Sequence, residues 1–496
     1  MMLVLLGCGT PEVEGDFVFL RDAIFVDGEV VPTSWSPGQQ LEHEGRVATA
    51  PHRAECITLF GVGLGDVSRE VAMGLPAPDT ALAFSPDGSL LAVGSYRGEV
   101  LVLDGWTGEV VADKQLSETM VKFVAWSADG QTLYAAEQSP DAFVHAFDPR
   151  TLEVRWSFRV ADEVESSPLP PAEEKYGVYD LPAAFGMAAL HDGGLVMTAM
   201  HGWNTPEGRR NASRVLRLDA DGKLVDAWPE AGVADATFKH PRVDLEGDRI
   251  VFAVHRTASG EAPTDLPIGG IQVLSLSGLE PVVSVIAPAL EPWYDTPFVW
   301  EALDVDGDAV FMGFGDGRVL LFGQDGTERL ALTPGTPILS GEVPIAASVG
   351  YGQFAGDLLI FQTSTTLIPW GAASPELRPP STHPRENALW VHDLDGELSW
   401  TWTGEQELAG LTVLGDTLVA GAGPRSSDSR ADLYGALIFE LSGEGSGDER
   451  LRAFCPTEGP AFFRQTLTED GRVAVTEFPY ADEGGQHGTY RVTVLR

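Results

Sequence analysis

The sequence predicts an all-β protein: a single propeller of four-stranded blades, closed into a ring by strands from both ends of the chain. Three observations predict it. A tight turn built on glycine with an acidic or basic neighbour recurs at Gly45, Gly88, Gly130, Gly193, Gly247, Gly307, Gly356, Gly415 and Gly471, each followed by an apolar strand. The spacing, roughly 40 to 60 residues, is that of a repeated supersecondary unit, and among all-β repeats it is the length of a propeller blade. The 56 glycines and 34 prolines are spread along 496 residues in turns, and no window shows a helical period with caps. Many short strands are therefore expected, and little helix.

The elements follow in order. Residues 81–84 read as an inner strand, Ser85-Pro86-Asp87-Gly88 as a turn, 90–95 and 99–103 as the next two strands. A turn at Thr107-Gly108 leads into a fourth strand beginning Glu109-Val110-Val111. The next unit repeats this over 121–126, 132–136, 143–147 and 151–158, with Asp129-Gly130 at its first turn. The final unit, from Ala461, supplies three strands only (463–466, 472–478 and 490–495), and strand-like runs within 16–31 could complete it. Nine turn signals do not oblige nine blades. Eight is the favoured count, with seven or nine left open, because propellers have roughly 4–8. Residues 16–496 are thus one propeller domain. Four excursions rich in Pro, Ser, Gly and charge, at 161–182, 257–267, 368–386 and 421–432, are expected as loops outside the blades, where binding specificity tends to reside.

Residues 83–111, AFSPDGSLLAVGSYRGEVLVLDGWTGEVV, resemble WD-type and YVTN-type propeller repeats. Residues 307–330, GDAVFMGFGDGRVLLFGQDGTERL, and 388–402, ALWVHDLDGELSWTW, are more similar to the repeats of quinoprotein (pyrroloquinoline quinone) β-propellers. The Gly-His and Trp-Asp dipeptides of strict WD repeats are absent. These likenesses span about residues 40–496 at the repeat length of propellers; they speak to fold, and fold alone does not carry function over.

The first ten residues read MMLVLLGCGT, and Leu5-Leu6-Gly7-Cys8 resembles the lipobox of bacterial lipoproteins. That resemblance implies lipidation of Cys8, with residues 1–15 a shortened lipoprotein signal and linker. The match departs from the family in two respects: no Lys or Arg precedes it and its apolar stretch is short. In a Gram-negative source, Gly9 in place of an aspartate resembles lipoproteins sent to the outer membrane. Cys56 and Cys455 lie in the first and the penultimate repeat units. A closed ring brings such units side by side, so in an oxidising compartment the two are expected to form a disulfide.

Composition narrows the function classes. The 32 basic against 73 acidic residues give a formal net charge of −41, a surface that repels phosphate backbones, so nucleic acid is not an expected partner. No nucleophile elbow, P-loop, dinucleotide fingerprint or paired-histidine helix appears, and no metal site is expected. Asp304-Val305-Asp306-Gly307-Asp308 resembles the start of a calcium loop, but it lacks the trailing acidic ligand and coincides with a blade turn. Asp219, Asp221, Asp393 and Asp395 are read as turn residues in the same way. Candidate ligand-binding residues sit after the second strands and between blades: Tyr96, Arg97, His201, Trp203, His255, Arg256 and, from the connections, His240, Trp293, Tyr294 and Trp300. On one mouth of the channel, such aromatic and basic groups could hold an anionic or glycan ligand.

Two functional readings follow. The first is a non-enzymatic, lipid-anchored envelope protein, a monomer that uses the ring as a binding or assembly scaffold for an envelope protein or polysaccharide and needs no cofactor. The second rests on the resemblances: a dehydrogenase using pyrroloquinoline quinone with calcium, or a lactonase-like hydrolase.

Overall fold

The computed structural model of the protein describes residues 18–65, 81–165, 181–255, 269–287, 302–364, 383–423 and 434–496, less breaks of one to three positions. Six separate four-stranded antiparallel sheets and one eight-stranded sheet make up the ring. The eight-stranded sheet is two blades, 120–159 and 183–228, joined through the single pair Gln138–Ala183. Eight blades result. In chain order they cover 82–115, 120–159, 183–228, 237–286, 303–332, 348–403 and 408–456, with an eighth assembled from both ends of the chain. Helix is confined, among the described residues, to Gly447–Arg450 and a single 3-10 turn, Val160–Asp162.

Sequence pattern explains how each strand is placed. The second strands are continuous apolar runs, such as Leu90–Gly94 and Ala309–Gly313, and both are buried throughout. A strand covered on both faces needs no alternation. The outer strands alternate instead: in Val110–Gln115 and Val154–Arg159 polar side chains face solvent between partly covered ones. The first strands of successive blades touch one another all the way round, including Thr466–Leu467 against Leu82–Phe84, so they form the inner wall. A separate apolar cluster fills each gap between blades.

The eighth blade corrects the expected closure. Thr466–Leu467, Val473–Glu477 and Arg491–Leu495 are its first three strands, and its outer strand is Thr58–Gly63, in antiparallel register with Val62 opposite Val492. The runs within 16–31 do not complete it. Val18–Leu20, Ala23–Val26 and Glu29–Pro32 pair with one another as a three-stranded sheet of their own. Both stretches are apolar enough to be strands; the short turns of the first let it satisfy its hydrogen bonds locally. The turn signal at Gly45 falls in a hairpin, Gln40–His43 with Arg46–Thr49, outside the blades, which is why nine signals give eight blades.

Three contacts bind the closing blade to its neighbours. Leu64, Phe478, Tyr490, Val492 and Val494 pack against Leu82, Phe84, Val93, Tyr96 and Leu103 of the first blade. At this seam Arg472, 1% exposed, donates to the carbonyl of Gly105 (2.6 Å) and stacks its guanidinium 3.9 Å from the Trp106 ring centroid. On the other side, Cys56 and Cys455 are joined as a disulfide, Cα to Cα 5.3 Å, linking the approach to the closing strand with the outer strand of the seventh blade. The bond spans 399 residues of chain. Closing so long a loop restricts the unfolded chain strongly. Replacing Cys455 with Ala is predicted to lower unfolding free energy by roughly 2–5 kcal/mol in denaturant titration, and reduction of the wild type should do the same. Unchanged stability would mean that the seam holds without the bond.

Candidate functional site

The two faces of the ring differ. In a meander of four strands, the turns between strands one and two and between three and four lie on one face. Here nearly all of these are short hairpins stiffened by an aspartate. Asp87 accepts from the Ser85 hydroxyl (2.6 Å), the Ser89 N–H (3.0 Å) and the Ser89 hydroxyl (2.9 Å). Those bonds bring its carboxyl down to about 2. Asp129 is lowered by the Ser127 hydroxyl and the Gln131 N–H, Asp148 by the N–H of Arg150, and Asp308 by the Arg329 side chain. Asp219 and Asp393 each accept two backbone N–H groups of their own turns, as expected for turn residues.

The opposite face carries the connections between strands two and three and between blades. All four excursions expected from the sequence leave and re-enter the ring there, although most of their residues lie outside the described ones. The hairpin Tyr480–Asp482 with Gly485–His487 and the hairpin Ile338–Ser340 with Val343–Ile345 belong to this face as well. So does the longest hairpin among the described residues. In the third blade, Leu195–Thr205 and Gly208–Leu218 are 11 residues each and stay paired up to Thr205–Gly208. Relative to strands of five to seven residues elsewhere, this hairpin rises roughly 15 Å further, at about 3.4 Å per residue.

Toward this face the inner wall is kinked. The register of the first strand slips in five blades, between Val121 and Phe123, Ala184 and Met187, Lys239 and Arg242, Val349 and Tyr351, and Leu408 and Leu411. A bulge bends its strand and re-aims the extra side chain. Neighbouring bulges touch: the Lys122 ammonium lies 3.7 Å from the Phe185 ring centroid. Gly186, at φ 153°, is packed so that a Cβ would come within 2.2 Å of Pro241 Cδ, and no side chain fits there. Lys122 also donates to Gln138 Oε1 (3.0 Å), and Gln138 donates to the Leu181 carbonyl of the next blade. Gln362 reaches the Leu408 carbonyl across another gap. These groups hold the channel mouth to one shape.

The candidate residues distribute unevenly over this face. Tyr96 is buried at the seam, 5.4 Å from the Tyr490 ring, rather than facing the mouth. Arg97 is exposed beside Gly65. His201 and Trp203 stand in the tall strand, not in a loop; their rings lie 4.9 Å apart, both are buried, and His201 Nδ1 meets the Glu165 carbonyl. Arg214 fastens the same corner to Glu163 (2.5 Å) and to the carbonyls of Pro229 and Glu230. His240 belongs to the bulge of an inner strand rather than to a connection, and His255 ends the second strand of the fourth blade. Arg256, Trp293, Tyr294, Trp300 and Cys8 lie outside the described residues. Lys122, Phe185 and Gln138 were missed, because a bulge leaves no mark in an apolar strand.

Calcium-held quinone chemistry was tested against the donors present. Asp304 accepts the N–H of Phe354 (2.8 Å) and faces Arg242 (3.8 Å), and Asp308 is paired with Arg329. Among the described residues no three His, Cys, Asp or Glu side chains converge.

These features define an eight-bladed β-propeller with one loop-bearing face. Solved structures with the same fold include BamB from Moraxella catarrhalis (14% identity, TM-score 0.50, covering 89% of this chain and 97% of that one). The C-terminal WD40 domain of Sif2 is similar at 11% identity and TM-score 0.51, over 89% of this chain and 97% of that one. The computationally designed Ika8 protein is similar at 14% identity and TM-score 0.50, over 83% and 95%. No family model matches the sequence, and no curated protein is similar to it in sequence.

The lowered aspartates of the turn face imply a pH dependence. Their folded values lie below the unfolded one near 4, so their stabilisation is present above pH 4 and disappears as pH falls toward about 2. The melting temperature should drop through that window, and Asp87→Asn should reduce the drop. A variant whose acid profile matches the wild type would contradict this.

Proposed function

We propose that the ring is a binding or assembly scaffold of the bacterial cell envelope, lipid-anchored through Cys8, with an envelope protein or polysaccharide as its partner. The observation that carries this reading is the difference between the faces: Asx-stiffened turns and the N-terminal sheet on one, where Arg21 meets Thr417, and a tall hairpin with long excursions on the other. A rigid frame bearing variable loops on a single face is how binding surfaces are commonly built. Several propellers of the same overall shape bear no sequence likeness to this chain, so the frame constrains the loops without dictating them.

The compartment is supported separately. A disulfide at the seam is a bond that persists in oxidising surroundings and is rare in the cytosol. No helix among the described residues is long and apolar enough to cross a membrane, so attachment in this reading falls to the lipid on Cys8.

Immobilised wild-type chain should retain one defined protein or polysaccharide from envelope extract. Excising residues 370–380 or substituting Arg97→Glu on the loop-bearing face should remove that ligand, and Arg150→Glu on the turn face should not. Equal retention by all three would contradict the assignment of the face. For the anchor, a full-length chain with its native upstream sequence should incorporate labelled fatty acid and lose it on Cys8→Ala.

A further inference from the structure

On the side of the second blade that looks toward the first, three strands bring a carboxylate, an imidazole and a hydroxyl into one row. Glu137 stands near the end of Leu133–Gln138, His145 in the middle of Phe143–Phe147, and Ser157 in the outer strand Val154–Arg159. His145 is the direct cross-strand partner of Ser157 and of Ala135, which places Glu137 two residues along on the same side. The Ser157 hydroxyl is 2.7 Å from His145 Nδ1, and His145 Nε2 is 2.9 Å from Glu137 Oε1. Ser139 donates to the other oxygen, Glu137 Oε2, at 2.7 Å.

The row has a definite proton arrangement. A carboxylate only accepts, so in the neutral imidazole the proton is on Nε2 toward Glu137, and Nδ1 is then the acceptor that faces the Ser157 O–H. Glu137 is 4% exposed and its partners hold it in place, while the rings of Phe143 and Phe147, 5.6 and 5.4 Å away, flank the imidazole. Ser157 itself is exposed. Structural hydroxyls at a cross-strand position need no oriented imidazole behind them. The arrangement matches what a nucleophile requires: a base within hydrogen-bond reach, and a third group that fixes the base. Beside it, a groove of about 520 Å³ runs between the outer halves of the first two blades, walled by Leu116, Thr119, Pro140, Phe143 and Val154, and it reaches Glu137 and His145.

We propose that Ser157 is a nucleophile toward acyl esters, with His145 its base and Glu137 a positioning residue, and that the groove takes the apolar part of the substrate. Ser157 Oγ bonds to the ester carbonyl carbon while its proton passes to His145 Nδ1. The carbon–oxygen bond to the alcohol then breaks, and the alcohol leaves with that proton. Water attacks the acyl-Ser157 ester by the same route, its proton passing through His145, and the carboxylic acid departs with Ser157 restored. Arg159, two residues on along the outer strand, is held by Asp141 at 2.8 Å. This site is on the outer rim of one blade and stands independently of the scaffold reading, which concerns the channel mouth and the loops.

The test is covalent labelling of the purified full chain with an alkyl fluorophosphonate, which replaces its fluoride with the oxygen of an activated serine. One adduct on Ser157 is expected by peptide mass mapping. It should vanish in Ser157→Ala, an exposed change that leaves the melting temperature unaltered, and form at least tenfold more slowly in His145→Gln. Glu137→Gln should slow labelling and Glu137→Asp recover part of the rate, a pattern that a purely structural carboxylate would not produce. Hydrolysis of p-nitrophenyl butyrate should follow the same order. An unlabelled Ser157 in the folded wild type, or equal labelling rates in wild type and His145→Gln, would overturn the proposal.

Discussion

Everything in this molecule depends on the pairing of Thr58–Gly63 with Arg491–Leu495. Each blade is a thin sheet with apolar side chains on both faces, and neither face is covered within the blade. Seven of the gaps are filled by blades that follow one another in sequence or nearly so. The last gap, between residues 466–495 and the first blade, is covered only if the chain ends meet. Burying Phe478 and Tyr490 there contributes roughly 1.5–3 kcal/mol for a large apolar side chain, and the Arg472 clasp, the closing strand and the disulfide make that burial permanent. A ring closed in this way leaves only short sheet edges, sheltered around its channel, and can carry long loops on one face without losing shape.

Closure also explains the arrangement of the candidate sites. Because successive inner strands touch, the bulge in one blade is seen by the bulge in the next, and Lys122, Phe185, Gly186 and Pro241 form a continuous lip at the channel mouth. Because successive outer strands diverge, grooves open between blades at the rim, and Glu137 and His145 line one of them. The mouth and the rim thus differ: packed bulges at the centre, and an imidazole beside a hydroxyl at the edge.

Much of the fold was legible in the sequence because turn chemistry is local. Asp87-Gly88, Asp129-Gly130 and the Asp219 and Asp393 turns take the form their residues demand, and the strands between them follow. The disulfide was legible too, although the units it joins are the seventh blade and the N-terminal run that completes the eighth. The closing strand was not. Residues 18–32 and 58–63 are both apolar runs near the N-terminus, but the first pairs within itself while the second finds its partner more than 400 positions away. The site was least legible. Whether Tyr96 faces the mouth or the seam depends on which rotamer packs against Phe478, and the row on the second blade depends on cross-strand register, which leaves Glu137, His145 and Ser157 at spacings without a motif.

Amide hydrogen exchange of the intact chain tests ring closure most directly. The account requires Thr58–Gly63 and Arg491–Leu495 to exchange slowly and together, at rates comparable to the central strands of the other blades. Rapid exchange of Thr58–Gly63, at the rate of an unpaired segment, while Arg491–Leu495 stays protected would contradict it.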